Sequence, residues 1–290
     1  MVINLSRYRG ILICIVILFG LGCMVAVRSA CHKRPDQIPS LPNVNTTDHG
    51  LYIKWSEVNG LFPRYAKATI TDFESGKSFK VQRRGGSSHA DVQPLTAGDT
   101  AVMKEIYHGN WSWKRRSVIV TLERGSRIAA SMAGMPHGQG AIRGNRFNGH
   151  FCLHFRDSKT HGSGKVDPAH QMMIWKSAGI EETQLMTMPS GTLVETFFTA
   201  VDQGDKDMAC RLVSKAAMPF LAEDMDSIKS VSISSIKEYS FQDYKVDLRV
   251  QYEEGRYPVS RQGNVLLLPT AGGWFIDYSS VRPWLVPPGT

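Results

Sequence analysis

The chain has 290 residues, with 34 lysines and arginines against 26 aspartates and glutamates, a formal net charge of +8 and a hydrophobic fraction of 42%. That fraction is ordinary for a globular protein, and the length predicts about two domains. The charge suits anionic surroundings such as a membrane face or a wall polymer. The sequence has neither paired cysteines at zinc-finger spacing nor the aromatic-basic motif of an RNA-binding sheet, so no nucleic-acid partner is expected.

Arg7 and Arg9 precede an uncharged apolar run over residues 11–27, and Arg28, Lys33 and Arg34 follow it. About 17 apolar residues is near the lower limit for a spanning helix. A small-x-small cleavage site does not follow, because Arg28 would occupy the −3 position before Cys31. Residues 1–30 are therefore expected to form an uncleaved signal anchor. The protein would then be single-pass in the cell membrane, with its folded part outside the cytoplasm. Basic residues on both flanks leave the positive-inside rule without a preference. Residues 31–50 carry Pro35, Pro39 and Pro42 and read as a linker.

A first folded unit is predicted over 51–190. Alternating residues at 68–73, the turn Glu74-Ser75-Gly76-Lys77 and residues 78–81 make a hairpin. Thr96 and Asp99 form a capping box that opens a helix running to Tyr107. Residues 117–122 and 126–131 predict a second strand pair, and 150–155 a short strand. Asp167-Pro168 opens a helix that Gly179 closes. A second unit over 191–290 starts with two amphipathic helices, 192–202 and 205–216. Strands follow at 231–236, 244–252, 264–268 and 274–278. The expected fold class is α+β: an N-terminal membrane anchor, a β-rich catalytic-type domain, then a small domain with helices packed on an antiparallel sheet.

Of the five cysteines, Cys14, Cys23 and Cys31 lie in or beside the apolar run, and Cys210 falls in an amphipathic helix. Cys152 stands in Gly149-His150-Phe151-Cys152-Leu153-His154-Phe155, downstream of Met135-Pro136-His137-Gly138. On a strand, His150, Cys152 and His154 share one face. Protonated imidazoles so placed would lower the thiol pKa. This pattern points to nucleophilic cysteine chemistry or metal ligation. His89-Ala90-Asp91 offers either turn residues before Pro94 or an orienting carboxylate with a second imidazole. His89, Asp91, His150, Cys152 and His154, with His161 and His170 nearby, also supply enough ligands for zinc, although no short segment has a recognised zinc spacing. Trp113, Arg115 and Arg116 could hold an anionic or sugar-containing ligand by stacking and guanidinium forks.

These motifs resemble the L,D-transpeptidase catalytic domain, a β-rich wall-remodelling unit with an upstream His-Gly and then Ser/Thr-His-Gly-Cys. The resemblance covers about sixty residues. It implies that Cys152 is the nucleophile forming a thioester with a peptide stem, that His150 is its base, and that His137 shapes the acyl-acceptor side; apart from the resemblance, His137 or His154 is expected to assist. The substrate implied is a cell-wall peptide or another anionic envelope polymer, and no cofactor is implied. Gly149 replaces the usual Ser or Thr, Phe151 replaces Gly, and His154 replaces an Arg or Asn. Thr160-His161-Gly162-Ser163 matches the Ser/Thr-His-Gly part in a rival register, with serine in place of cysteine. The region after residue 191 resembles the NTF2-like superfamily in element order and in its closing strand, Gly272-Gly273-Trp274-Phe275-Ile276-Asp277. The competing functions are a zinc-dependent envelope hydrolase and a non-enzymatic wall- or ligand-binding protein.

Overall fold

A computed structural model describes residues 49–288; the expected anchor and nearly all of the linker lie outside them. Among the described residues no helix is long and apolar enough to cross a membrane. Helix α1 (Trp55–Leu61) precedes β1 (Lys67–Asp72) and β2 (Ser78–Gly85), which pair antiparallel as the alternation predicts. The chain then forms β3 (Ala90–Pro94), where the sequence suggested turn residues or an orienting carboxylate but no strand. Ala90 and Val92 are fully buried in the apolar core, so a five-residue segment ending in proline still completes a sheet. Helix α2 (Ala97–Ile106) begins on the expected capping box. Thr96→Ala is expected to cost about 1 kcal/mol of stability, measured by denaturant titration.

Strands β4 (Arg115–Leu122), β5 (Arg127–Ala133) and β6 (Phe151–His154) follow. The six strands close into a barrel in the order β1-β2-β3-β6-β5-β4, with every pair antiparallel. Closure leaves no unpaired sheet edge. Ile70, Val81, Val92, Val120, Phe151 and Leu153 are fully buried in its core. Helix α3 (Pro168–Ala178) packs against β4 and β5, capped by Asp167 and ended by Gly179 at φ 67°. Its Ser177 hydroxyl donates to Ala130 O, while Met172 and Met173 enter a second apolar core.

That second core lies between helices and an antiparallel sheet. The helices are α4 (Glu181–Met186), α5 (Ser190–Gln203), α6 (Lys206–Arg211), α7 (Met218–Asp224) and, at the end of the chain, α8 (Tyr278–Leu285). The sheet comprises β7 (Ile228–Ser240), β8 (Asp243–Tyr252), β9 (Val259–Thr270) and β10 (Gly273–Ile276), in the order β10-β9-β8-β7. The protein is thus mixed α+β. The helix expected over 205–216 is shorter, because Leu212 O accepts the Ile276 amide and Val213 bridges to Ile276. The chain leaves the helix there to join the sheet.

Candidate functional site

Cys152 takes its position from the barrel register. Phe151 and Leu153 point into the core, so the alternation of β6 sends Cys152 and His154 to the outer face. Directly opposite Cys152 on β3 is Asp91, whose neighbours Ala90 and Val92 are core residues. Directly opposed strand residues have Cβ atoms about 5 Å apart, and here Cys152 Sγ lies 4.0 Å from Asp91 Oδ1. A register shift between Arg83 and Gly85 on β2 adjoins this point. Arg83 holds the bulge by donating to the Gly85 and Gly86 carbonyls at 3.0 and 2.7 Å. The Arg83-Arg84-Gly85-Gly86 stretch therefore shapes the strand beside Asp91.

His137 reaches the thiol from the segment between β5 and β6. The His137 and His150 backbones exchange two hydrogen bonds, of 2.9 and 2.8 Å. That ladder requires two close approaches. Gly138 has φ 61°, and a Cβ there would strike the His150 ring; Gly149 has φ 117°, and a Cβ there would strike the His137 carbonyl. Gly149, which departs from the Ser/Thr of the resembled motif, is thus imposed by the backbone. Gln93, on the same face of β3 as Asp91, fastens the segment. Its Nε2 donates to Gly149 O at 2.6 Å, and its Oε1 accepts the amides of Ala141 and Ile142.

His137 Nδ1 donates to Met135 O at 2.9 Å, which leaves Nε2 as the acceptor nitrogen of the neutral ring. Nε2 lies 3.2 Å from Cys152 Sγ. His150 donates from Nδ1 to Gln139 O at 3.2 Å, and its Nε2 faces Asp91 Oδ1 at 3.7 Å, not the thiol. The imidazole on the sulfur is therefore His137, not His150, which the resemblance implied as the base. Period-two alternation places His150 and Cys152 on one face, but it does not show which way each ring turns.

Asp91 gathers the remaining imidazoles. His161 Nε2 and His89 Nε2 lie 3.0 and 3.2 Å from its Oδ1, and the two nitrogens are 2.9 Å apart. Burial works to raise the Asp91 pKa, but hydrogen bonds from His89 and His161 outweigh it and hold the carboxyl at about 2. For Cys152 the balance is the reverse of the sequence expectation. Burial, then the Asp91 carboxylate, pushes the thiol up to about 12, against a small opposing effect of Arg115. Burial also lowers the His137 pKa. Both shifts favour a thiol hydrogen-bonded to a neutral imidazole over a thiolate–imidazolium pair.

His154 lies away from the sulfur. Its ring is buried in a stack, 3.7 Å from the His170 centroid and 4.5 Å from that of His89. Burial depresses the pKa values of both His154 and His170. His170 is a satisfied core residue whose Nδ1 bonds the Ser131 hydroxyl at 2.9 Å. His154 therefore supports His89 from behind and does not assist at the thiol. Arg116 is not available to a ligand either: its guanidinium is bonded to Asp72 at 2.7 and 2.8 Å and to Glu74 at 3.0 Å. Arg115 pairs with Asp167 at 2.8 Å. Trp113 stands at the rim, 52% exposed, its ring 5.3 Å from that of His137. Ser163 of the rival segment bonds the Thr160 hydroxyl and accepts the Lys165 amide within an exposed turn, whereas His161 of that segment joins the site.

Sequence reading missed Gln93 and the two carbonyls, Met135 O and Lys159 O, that orient His137 and His89. Gln93 carried one usable signal, its i+2 spacing from Asp91. A carbonyl carries none, since every residue has one.

No family model matches the chain, and no curated protein is significantly similar to it in sequence. Among solved structures the chain is similar to Bd1075 of Bdellovibrio bacteriovorus at 12% identity. The match covers 79% of this chain and 96% of that one, with a TM-score of 0.23, a level that carries no argument about fold or function.

Proposed function

We propose that this is an exported, membrane-anchored cell-envelope protein, held by its N-terminal apolar run, whose Cys152 forms a thioester with a peptidoglycan peptide. The observation that carries the reading is the 3.2 Å contact of His137 Nε2 with Cys152 Sγ, in a ring oriented by the Met135 carbonyl. As sulfur attacks the amide carbonyl carbon, the thiol proton passes to His137 Nε2. The imidazolium then protonates the leaving amine, the C–N bond breaks and the thioester remains. An incoming amine completes a transfer, or water completes a hydrolysis, by the reverse proton route. Trp113, beside His137, gives the substrate an exposed aromatic face, and the +8 charge suits an anionic wall. The α+β part beyond residue 191 is proposed to be NTF2-like.

A thiol that ionises at about 12 must be deprotonated as it attacks. Alkylation of Cys152 by iodoacetamide, followed by peptide mass spectrometry, is therefore expected to be slow at pH 7. Its rate should rise about tenfold per pH unit to pH 10 without a plateau. A plateau below pH 8 would mean a resting thiolate and a different activation. Incubation with stem tetrapeptide should add the mass of an acyl group to Cys152; a chain that never acquires it, under conditions where peptide is turned over, would exclude the thioester.

A further inference from the structure

The Asp91 side of Cys152 holds an arrangement that thiol chemistry does not require. His89 Nδ1 donates to Lys159 O at 2.7 Å, so Nε2 is the ring nitrogen left to ligate a metal. That nitrogen is aimed at the Asp91 carboxylate oxygen, 3.2 Å away, and at His161 Nε2, 2.9 Å away. In the metal-free site ring protons make these contacts hydrogen bonds, and a cation can take the place of those protons. The ligand atoms of His89, Asp91, Cys152 and His161 all lie within 4.8 Å of one another. Donors on a tetrahedral zinc, at about 2.0–2.3 Å from the metal, are separated by about 3.3–3.8 Å. Small side-chain movements would bring these four to that spacing. A histidine whose second ring nitrogen donates to a backbone carbonyl is also the usual form of an oriented metal ligand.

We propose that His89 Nε2, Asp91, Cys152 Sγ and His161 Nε2 bind one divalent cation of the zinc class, and that the bound ion switches the thiol off. Two nitrogens, one carboxylate oxygen and one sulfur form a donor set that favours zinc over magnesium or calcium. On binding, the Cys152 S–H proton is released to solvent and a sulfur–metal bond forms; the ring proton of His161 is carried on Nδ1. The sulfur lone pair that would attack a carbonyl is then held by the ion, and His137 loses its partner. The inhibitory half of this proposal rests on the thioester reading above; the site itself does not, because His137 is not a ligand.

The test uses the full-length chain, stripped with chelator and then titrated with zinc chloride. Elemental analysis after desalting should find about one equivalent of zinc, and a weakly buffered titration should show about one proton released per ion at pH 7. Bound zinc should slow alkylation of Cys152 at pH 9 by at least tenfold. His161→Ala, at an exposed position, should lose the stoichiometric zinc, as should Cys152→Ser, while His137→Gln should keep it. Wild-type chain that retains no zinc, or a Cys152→Ser variant that binds it unchanged, would overturn the site. Zinc bound without protection of Cys152 would overturn the switch. Failure of the thioester reading is separate: it would appear as no acyl adduct on metal-free wild-type chain, whatever the zinc result.

Discussion

Replacing His137 by glutamine is expected to slow acylation of Cys152 by about two to four orders of magnitude, the contribution of a positioned general base. Glutamine can hydrogen-bond but cannot take the thiol proton, and at pH 7 a thiol ionising at about 12 offers almost no thiolate to compensate. His150→Gln should cost much less, on the order of tenfold, because His150 faces Asp91 and Gln139 and lies off the sulfur. The measurement is single-turnover acylation by a stem tetrapeptide, read by intact mass, with circular dichroism to confirm the fold of each variant. The pH profile gives a second readout. Burial lowers the His137 pKa, so the base stays unprotonated to lower pH than a free imidazole, and the acid limb of the acylation rate should fall below pH 6.5. If His150→Gln produced the large loss and His137→Gln the small one, the base would be His150.

Asp72→Ala is expected to lower stability by about 3–5 kcal/mol, the range for breaking a buried ion pair by removing one partner. Asp72 is fully buried at the end of β1. Its oxygens take two hydrogen bonds from Arg116 and two more from the Ser75 amide and hydroxyl. Removing the carboxylate strands a mostly buried guanidinium with only the half-exposed Glu74 as counter-charge, and it frees the β1–β2 turn. Both Asp72 and Arg116 lie on the paired strands β1 and β4, so the loss falls on barrel closure. At about 2–4 °C per kcal/mol for a protein of this size, the thermal midpoint should drop by about 10 °C. The double replacement Asp72→Leu with Arg116→Met should cost less than Asp72→Ala alone, because it leaves no unpaired charge. Equal or larger loss in the double variant, by calorimetry, would show that the pair is worth more than its desolvation cost.

Arg116 also shows where reading the sequence stops. Within the aromatic and basic stretch Trp111-Ser112-Trp113-Lys114-Arg115-Arg116 a cationic strand end looks ready for a ligand, but the partner of Arg116, Asp72, is 44 residues away in the chain. The same limit applies to His154. Its i+2 spacing from Cys152 correctly gave the shared face of β6, but burial under α3 put its ring against His170. The thiol pKa was misjudged for a related reason. Spacing counted the imidazoles, whereas ionisation depends on burial and on which charges remain fixed; here the fixed charge nearest the sulfur is the Asp91 carboxylate.

Local chemistry by itself determined much of the rest. The Thr96–Asp99 capping box, the Asp167-Pro168 helix start and the Gly179 stop are written in neighbouring residues, as is the β1–β2 hairpin. Period-two alternation likewise determined that Cys152 faces away from Phe151 and Leu153. Only the tertiary structure decided that six strands close into a barrel, that β3 is one of them, and that closure sets Asp91 against Cys152. It also decided that two glycines allow His137 to lie against His150 and reach the sulfur. The physical reason is that spacing along a chain fixes which side of an element a residue occupies, whereas the distance between two side-chain atoms depends on register, backbone approach and the partners that turn each ring.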